Sequence, residues 1–180
     1  MRRAGILHCA DIDRDYFKVL NARGQLPFVV RKDEQVSKWA EYTLDDAFRL
    51  RLQLDLSANE SLEKFPEGLG AEYAPRLIKN ATEITVSDAY LASQDIWIGV
   101  AVFEGEMPDG ASEIYREHFC GNLAELLPHY QAKMRYELKN SPYKTLSATR
   151  VFMANATRAA RFVVNRALEL GLPEVEGLIK

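Results

Sequence analysis

Long apolar runs are missing from this 180-residue chain, and no stretch approaches the roughly 18 consecutive apolar residues that a membrane-spanning helix needs. Met1-Arg2-Arg3 is followed by a run too short and too polar for a signal peptide, so the expected compartment is the cytoplasm. There are only two cysteines, Cys9 and Cys120, far apart and without a second pair of ligands, which excludes a disulfide framework and a zinc finger. Both read as reduced, partly buried thiols. Enzyme signatures are missing as well: there is no Gly-rich phosphate loop, no Gly-x-Ser-x-Gly elbow and no His-Glu-x-x-His pair, and Gly68-x-Gly70 is too short to mean anything.

A hydrophobic fraction of 47% with 27% charged residues is ordinary for a globular protein and far from the composition of disorder. The net charge of -3 is unevenly spread. Residues 1–52 carry ten Lys and Arg against eight Asp and Glu, a net of +2, leaving thirteen against eighteen, or -5, for the rest. That asymmetry permits a nucleic-acid face on the first part of the chain.

Asp13 to Gly24 reads as a short helix, with Asp13 as N-cap, Phe17 and Leu20 on one face and Gly24 as terminator. Gly5 to Ala10 supplies one more apolar turn ahead of it, making Asp11-Ile12 the turn between two helices. Beyond Pro27, residues 28–42 have apolar ends around a charged centre, the pattern of a β-hairpin wing with Arg31, Lys32 and Lys38 on or near its tip. Thr43-Leu-Asp-Asp46 resembles a capping box, and Leu44, Phe48, Leu52 and Leu56 recur at i, i+4 spacing behind it.

The succession of a helix, Arg23-Gly-Gln-Leu-Pro27, a wing and then Trp39-Ala-Glu-Tyr-Thr-Leu-Asp-Asp-Ala-Phe-Arg-Leu-Arg-Leu52 resembles the winged helix-turn-helix DNA-binding domain of MerR-type regulators over residues 3–56. The resemblance implies that helix 13–24 is the recognition helix and that Arg14, Lys18, Arg23, Arg31, Lys32 and Lys38 contact duplex DNA. Cations at the exposed start of a groove helix meet base edges, while wing cations meet phosphates and fix register. Each of these residues is equally well read, taken singly, as a solvated surface charge. Two features depart from the family: Asp15 stands where an arginine is usual, and the chain breaks at Phe65-Pro-Glu-Gly-Leu-Gly70 where a long dimerising helix is usual. Asp15 repels phosphate, accepts from a cytosine amino group, or orients Lys18 one turn away.

Residues 57–71 read as a linker and residues 72–180 as an α+β effector or oligomerisation domain with a central antiparallel sheet and a C-terminal helix. Ala74 to Asn80 forms a short helix with Pro75 in its first turn. Asp95 to Phe103, almost entirely apolar and rich in β-branched and aromatic residues, reads as a buried central strand; Ile84 to Leu91 and Leu146 to Met153 read as its companions. Ala111 to Asn140 reads as two helices interrupted near Gly121 and Pro128. Ala156 to Leu170 reads as a helix with Ala159, Val163, Ala167 and Leu170 on one stripe and Arg158, Arg161 and Arg166 on the other sides, either solvated or on phosphate.

Glu113, Glu117, His118 and Cys120 are the nearest approach to a metal or catalytic constellation. On a helix His118 would project about 100° from Glu117, so three ligands would not converge, and no metal, cofactor or catalytic residue is expected. The expected protein is thus a dimeric DNA-binding regulator with a possible effector or protein partner at the second domain and no membrane association. An architectural role like that of phage excisionases or terminase small subunits is the nearest alternative. A protein-interaction module, suggested by Asp11, Asp13 and Asp15, and an enzyme built on the second domain follow in that order.

Overall fold

The computed structural model describes residues 1–31, 40–57, 73–81 and 84–178. Among them are seven α-helices and a three-stranded antiparallel sheet, a mixed α+β architecture.

Helix α1 (Arg3–Ala10) ends where Asp11 adopts a left-handed conformation, φ 56°, which a short polar side chain tolerates, and the chain re-enters a helix at once. Helix α2 (Arg14–Ala22) is closed at its end by Gly24, φ +66°. Helix α3 (Leu44–Leu56) begins with the capping box foreseen in Thr43 and Asp46, with Asp substituting for the usual Glu, and Leu44, Phe48, Leu52 and Leu56 are all buried. Between α2 and α3, Arg31 and Glu41 form an isolated antiparallel bridge, so the two arms flanking residues 32–39 lie side by side. Those intervening residues, with Lys32 and Lys38, lie outside the described set, as do residues 58–71 of the expected linker and residue 72.

Helix α4 (Tyr73–Ala81) is followed by α5 (Val86–Leu91), where a strand was expected over 84–91. Thr85 and Asp88 form a second capping box, satisfying the first amides of a helix, and this local hydrogen bonding overrides the apparent alternation of Ile84 and Val86. Strand β1 (Ile96–Glu106) is central, with β2 (Ser112–Asn122) on one side and β3 (Thr145–Asn155) on the other. The helix expected from residue 111 is therefore a strand. Its charges sit on a sheet edge that buries only Phe119, leaving little apolar periodicity to read. A single helix, α6 (Leu123–Asn140), then runs through Pro128, rather than breaking there. Asn122 caps it and α7 (Ala156–Glu169) closes the main fold, followed by a short turn of 3-10 helix at Pro173–Val175.

Alternation along the strands divides the core in two. Ile98, Val100 and Ala154 face a large cluster that includes Phe17, Leu20, Phe48, Leu52, Val163 and Val164. Ala101, Phe103, Phe119 and Leu146 face the other way, onto Tyr130 of α6, with half-buried Trp97 beside them. Close approach of β3 to β1 depends on Gly99, because a Cβ there would collide with the Phe152 carbonyl and lie 2.9 Å from Met153 Cγ. Among the described residues the large cluster draws on side chains from Ile6 to Val175, and α7 packs against α1, α3 and α5. Its apolar stripe ends at Ala167, since Leu170 is 44% exposed. Cys9 is buried, whereas Cys120 is exposed and not partly buried as expected.

Candidate nucleic-acid interface

Helix α2 stands on Phe17 and Leu20, both buried, and presents its other sides to solvent. Asp13 builds its start: one carboxylate oxygen accepts from the amides of Asp15 at 2.7 Å and Tyr16 at 3.1 Å, and these backbone donors hold its pKa below the ordinary 3.8. Arg14, Asp15, Tyr16, Lys18, Val19 and Arg23 are all exposed. At 100° per residue the side opposite Phe17 and Leu20 is centred on Asp15 and Ala22, with Lys18 and Val19 flanking them.

Lys18 does not project freely. Its ammonium lies 2.6 Å from Asp15 Oδ1, which answers what Asp15 does in the folded chain: it pairs with Lys18 one turn on. Both groups are exposed, so the pair contributes little to stability, but it neutralises one cation in the middle of the outward face. Arg23 caps the far end of α2, and exposed Arg31 stands where the two arms meet through its bridge to Glu41. One cation escapes sequence reasoning: the Arg3 guanidinium, from α1, lies 6.0 Å from the centre of the Phe17 ring beside α2. The aromatic at position 17, read only as core, was the available hint.

Arginines 51 and 166 are committed elsewhere. Arg51 donates to the Ala10 carbonyl at 3.3 Å and pairs with Asp55; Arg166 donates to the His8 carbonyl at 2.6 Å and lies 3.3 Å from Asp11. Arg158 and Arg161 remain exposed on α7.

The constellation of Glu113, Glu117, His118 and Cys120 is split by the strand. Glu117 faces α6, where it accepts from Tyr115 Oη at 2.6 Å and meets His129 Nε2 at 3.1 Å and Lys133 Nζ at 3.9 Å. His118 is on the other face, 3.2 Å from the Tyr73 hydroxyl, against whose ring it stacks. No group of three or more metal-ligating side chains gathers among the described residues. Burial, reinforced by the Glu117 carboxylate, pushes the pKa of Tyr115 and of Tyr130 up to about 12, so both hydroxyls stay protonated at neutral pH. Among the described residues, no helix is long and apolar enough to cross a membrane.

These features define a mixed α+β protein with an exposed, cation-bearing helix near its start. Comparison with known protein families, with characterised proteins and with solved structures finds no match to the chain.

Proposed function

We propose that this protein is a DNA-binding regulator similar to the MerR type, reading duplex DNA through α2 and the segment 28–42 that follows it. The observation that carries the reading is the setting of α2. A tight turn at Asp11-Ile12 joins it to α1, an Asp13 cap fixes its start, and Arg14 and Arg23 are exposed at its two ends with Lys18, paired to Asp15, between them. A helix held this way at its base and exposed on its other sides has the dimensions to enter a major groove, with Arg14 and Arg23 as the cations at its two ends. Lys32 and Lys38 extend the proposed contacts along the wing to phosphate. The protein acts as a homodimer in the cytoplasm, without a cofactor and without catalysis; the remainder of the chain holds the reading unit and receives an effector or a protein partner.

A second reading has a specific observation in its favour. Asp15 neutralises Lys18, and exposed Asp13 stands at the same helix start beside Asp11, which pairs with Arg166, so the face carries little net positive charge and also suits a protein partner.

Titration of the purified protein into a pool of random duplexes at two salt concentrations, with sequencing of what is retained, separates the possibilities. Enrichment of an inverted repeat with salt-sensitive affinity is the expected result. Retention without enrichment makes the role architectural, as in excisionases or terminase small subunits. No retention overturns the DNA reading in favour of the protein-interaction module.

A further inference from the structure

The two edges of the sheet are unequally protected. The β2 edge carries Glu113, Arg116 and Glu117, charges that discourage another strand from pairing there. Strand β3 carries one charge, Arg150, along eleven residues, and Ser147 to Val151 are exposed without interruption. Among the described residues no strand pairs with the outer side of β3.

The layer above this edge is equally open. Helix α6 leans toward β2, where His129 and Lys133 reach Glu117, and it buries only Tyr130. On its other flank Leu123, Leu127 and Leu138 fall within about 60° of one another at helical spacing, beside Met134, which packs on the core under α6. Leu123 is 50%, Leu127 64% and Leu138 40% exposed. This stripe looks toward the β3 side of the sheet, where Val151, itself 45% exposed, and Met153 share the face of Ala101. An uncovered apolar flank therefore adjoins an unpaired main-chain edge.

We infer that a second copy of this chain covers both, with β3 pairing antiparallel to its own counterpart about a two-fold axis and the α6 stripes meeting above. The inference deepens the dimeric part of the function proposed above. An antiparallel edge contact is self-complementary, since a two-fold axis presents each strand and each stripe to its own equivalent. Arg150 is the middle of the eleven residues, so an axis displaced from it leaves about nine of them paired, about 30 Å, and with a sheet plus one helix layer about 20 Å deep this gives about 600 Å² per partner. That meets the ~600 Å² per side at which stable interfaces begin. The lone Arg150 puts the axis off its own position, because like charges directly opposite each other destabilise a strand pair.

Sedimentation velocity on the full chain without DNA tests this. The expected species has twice the 20.4 kDa chain mass at micromolar concentration. Leu127→Lys with Val151→Lys is expected to weaken dimerisation at least a hundredfold with an unchanged circular dichroism spectrum. Ile114→Lys, on the β2 edge, is expected to leave the dimer intact. A wild-type monomer, a dimer that survives the double substitution, or dissociation by Ile114→Lys overturns the inference. Should the double variant not fold, hydrogen exchange on the wild type decides: protection of the amides of β3 is expected to rise with protein concentration, and concentration-independent exchange overturns the interface. Because no DNA is present, failure here leaves duplex binding untouched, and a dimer that retains no duplex defeats only the DNA reading.

Discussion

Arg166 donates from Nε to the main-chain carbonyl of His8 at 2.6 Å, joining the last helix of the chain to the first across 158 positions. Its Nη2 lies 3.3 Å from Asp11, and its guanidinium lies 5.4 Å from the centre of the Phe162 ring, which also carries the Arg51 guanidinium at 5.0 Å. Two cations thus reach carbonyls in the last turn of α1, at the negative end of its dipole, the His8 oxygen accepting from the Asp11 amide at 3.1 Å as well. Replacing Arg166 by Met keeps much of the volume and removes the donors. The expected cost is about 2 kcal/mol, the value of a part-buried hydrogen bond from a charged group, read as a lowered urea midpoint. Arg161→Met, on the exposed side of the same helix, is expected to stay within about 0.5 kcal/mol of wild type.

Acid sensitivity has an identifiable local source in the helix caps. Backbone amides of Tyr16 and Asp15 lower the pKa of Asp13, and the Thr85 hydroxyl and amide lower that of Asp88. A carboxylate whose pKa is lower folded than unfolded contributes stability that is fully present above its unfolded value, about pH 4, and lost as pH falls through the folded value. Asp13→Asn keeps an oxygen to cap α2 but cannot titrate. Its stability at neutral pH is expected to stay near wild type, while the fall of the denaturant midpoint below about pH 4 becomes shallower, with Asp88 retaining its part.

The Asp15–Lys18 pair makes a prediction specific to the DNA reading. Asp15→Ala releases the Lys18 ammonium and removes a negative charge from the outward face of α2. Affinity for duplex DNA is expected to rise, with the slope of log affinity against log salt steepening by about one phosphate contact. Lys18→Ala is expected to relax preference at one base position. Fluorescence anisotropy with a labelled duplex at several salt concentrations reads the affinities and the slope; if neither substitution moves them, α2 is not the contacting helix.

Tyr130 makes the opposite case from Arg166. Its hydroxyl is buried and forms no hydrogen bond to a described residue, yet its ring packs edge-on against Phe103 at 6.0 Å. Tyr130→Phe keeps the packing and removes a desolvated polar group, so the melting temperature is expected to hold or to rise, by up to about 1 kcal/mol in stability. Tyr130→Ala is expected to cost about 3 kcal/mol or more, because the ring is the one fully committed anchor of α6.

What could be read from the chain itself was what local chemistry dictates. Asp13 with Gly24 delimits α2, Thr43 with Asp46 starts α3, and the apolar run after Asp95 forms the central strand, because caps, terminators and continuous hydrophobicity act over a few neighbouring residues. The Thr85–Asp88 box was equally present and would have identified α5. Strand β2 was not legible, since its partner lies on β1 and its exposed edge needs no apolar pattern; pairing alone makes it a strand. The same is true at the candidate interface. Sequence placed Arg14, Lys18, Arg23 and Arg31 on exposed positions, but packing decided that Arg3 joins Phe17, that Arg166 serves α1, and that Glu117 and His118 part to opposite faces of the sheet. Sequence alone determines the helix ends marked by a cap or a terminator, as in α2 and α3, because those are settled by bonds to near neighbours; strand β2 and the distant partners of Arg3, Arg166, Glu117 and His118 are settled by contacts between distant segments, and only the tertiary structure holds those.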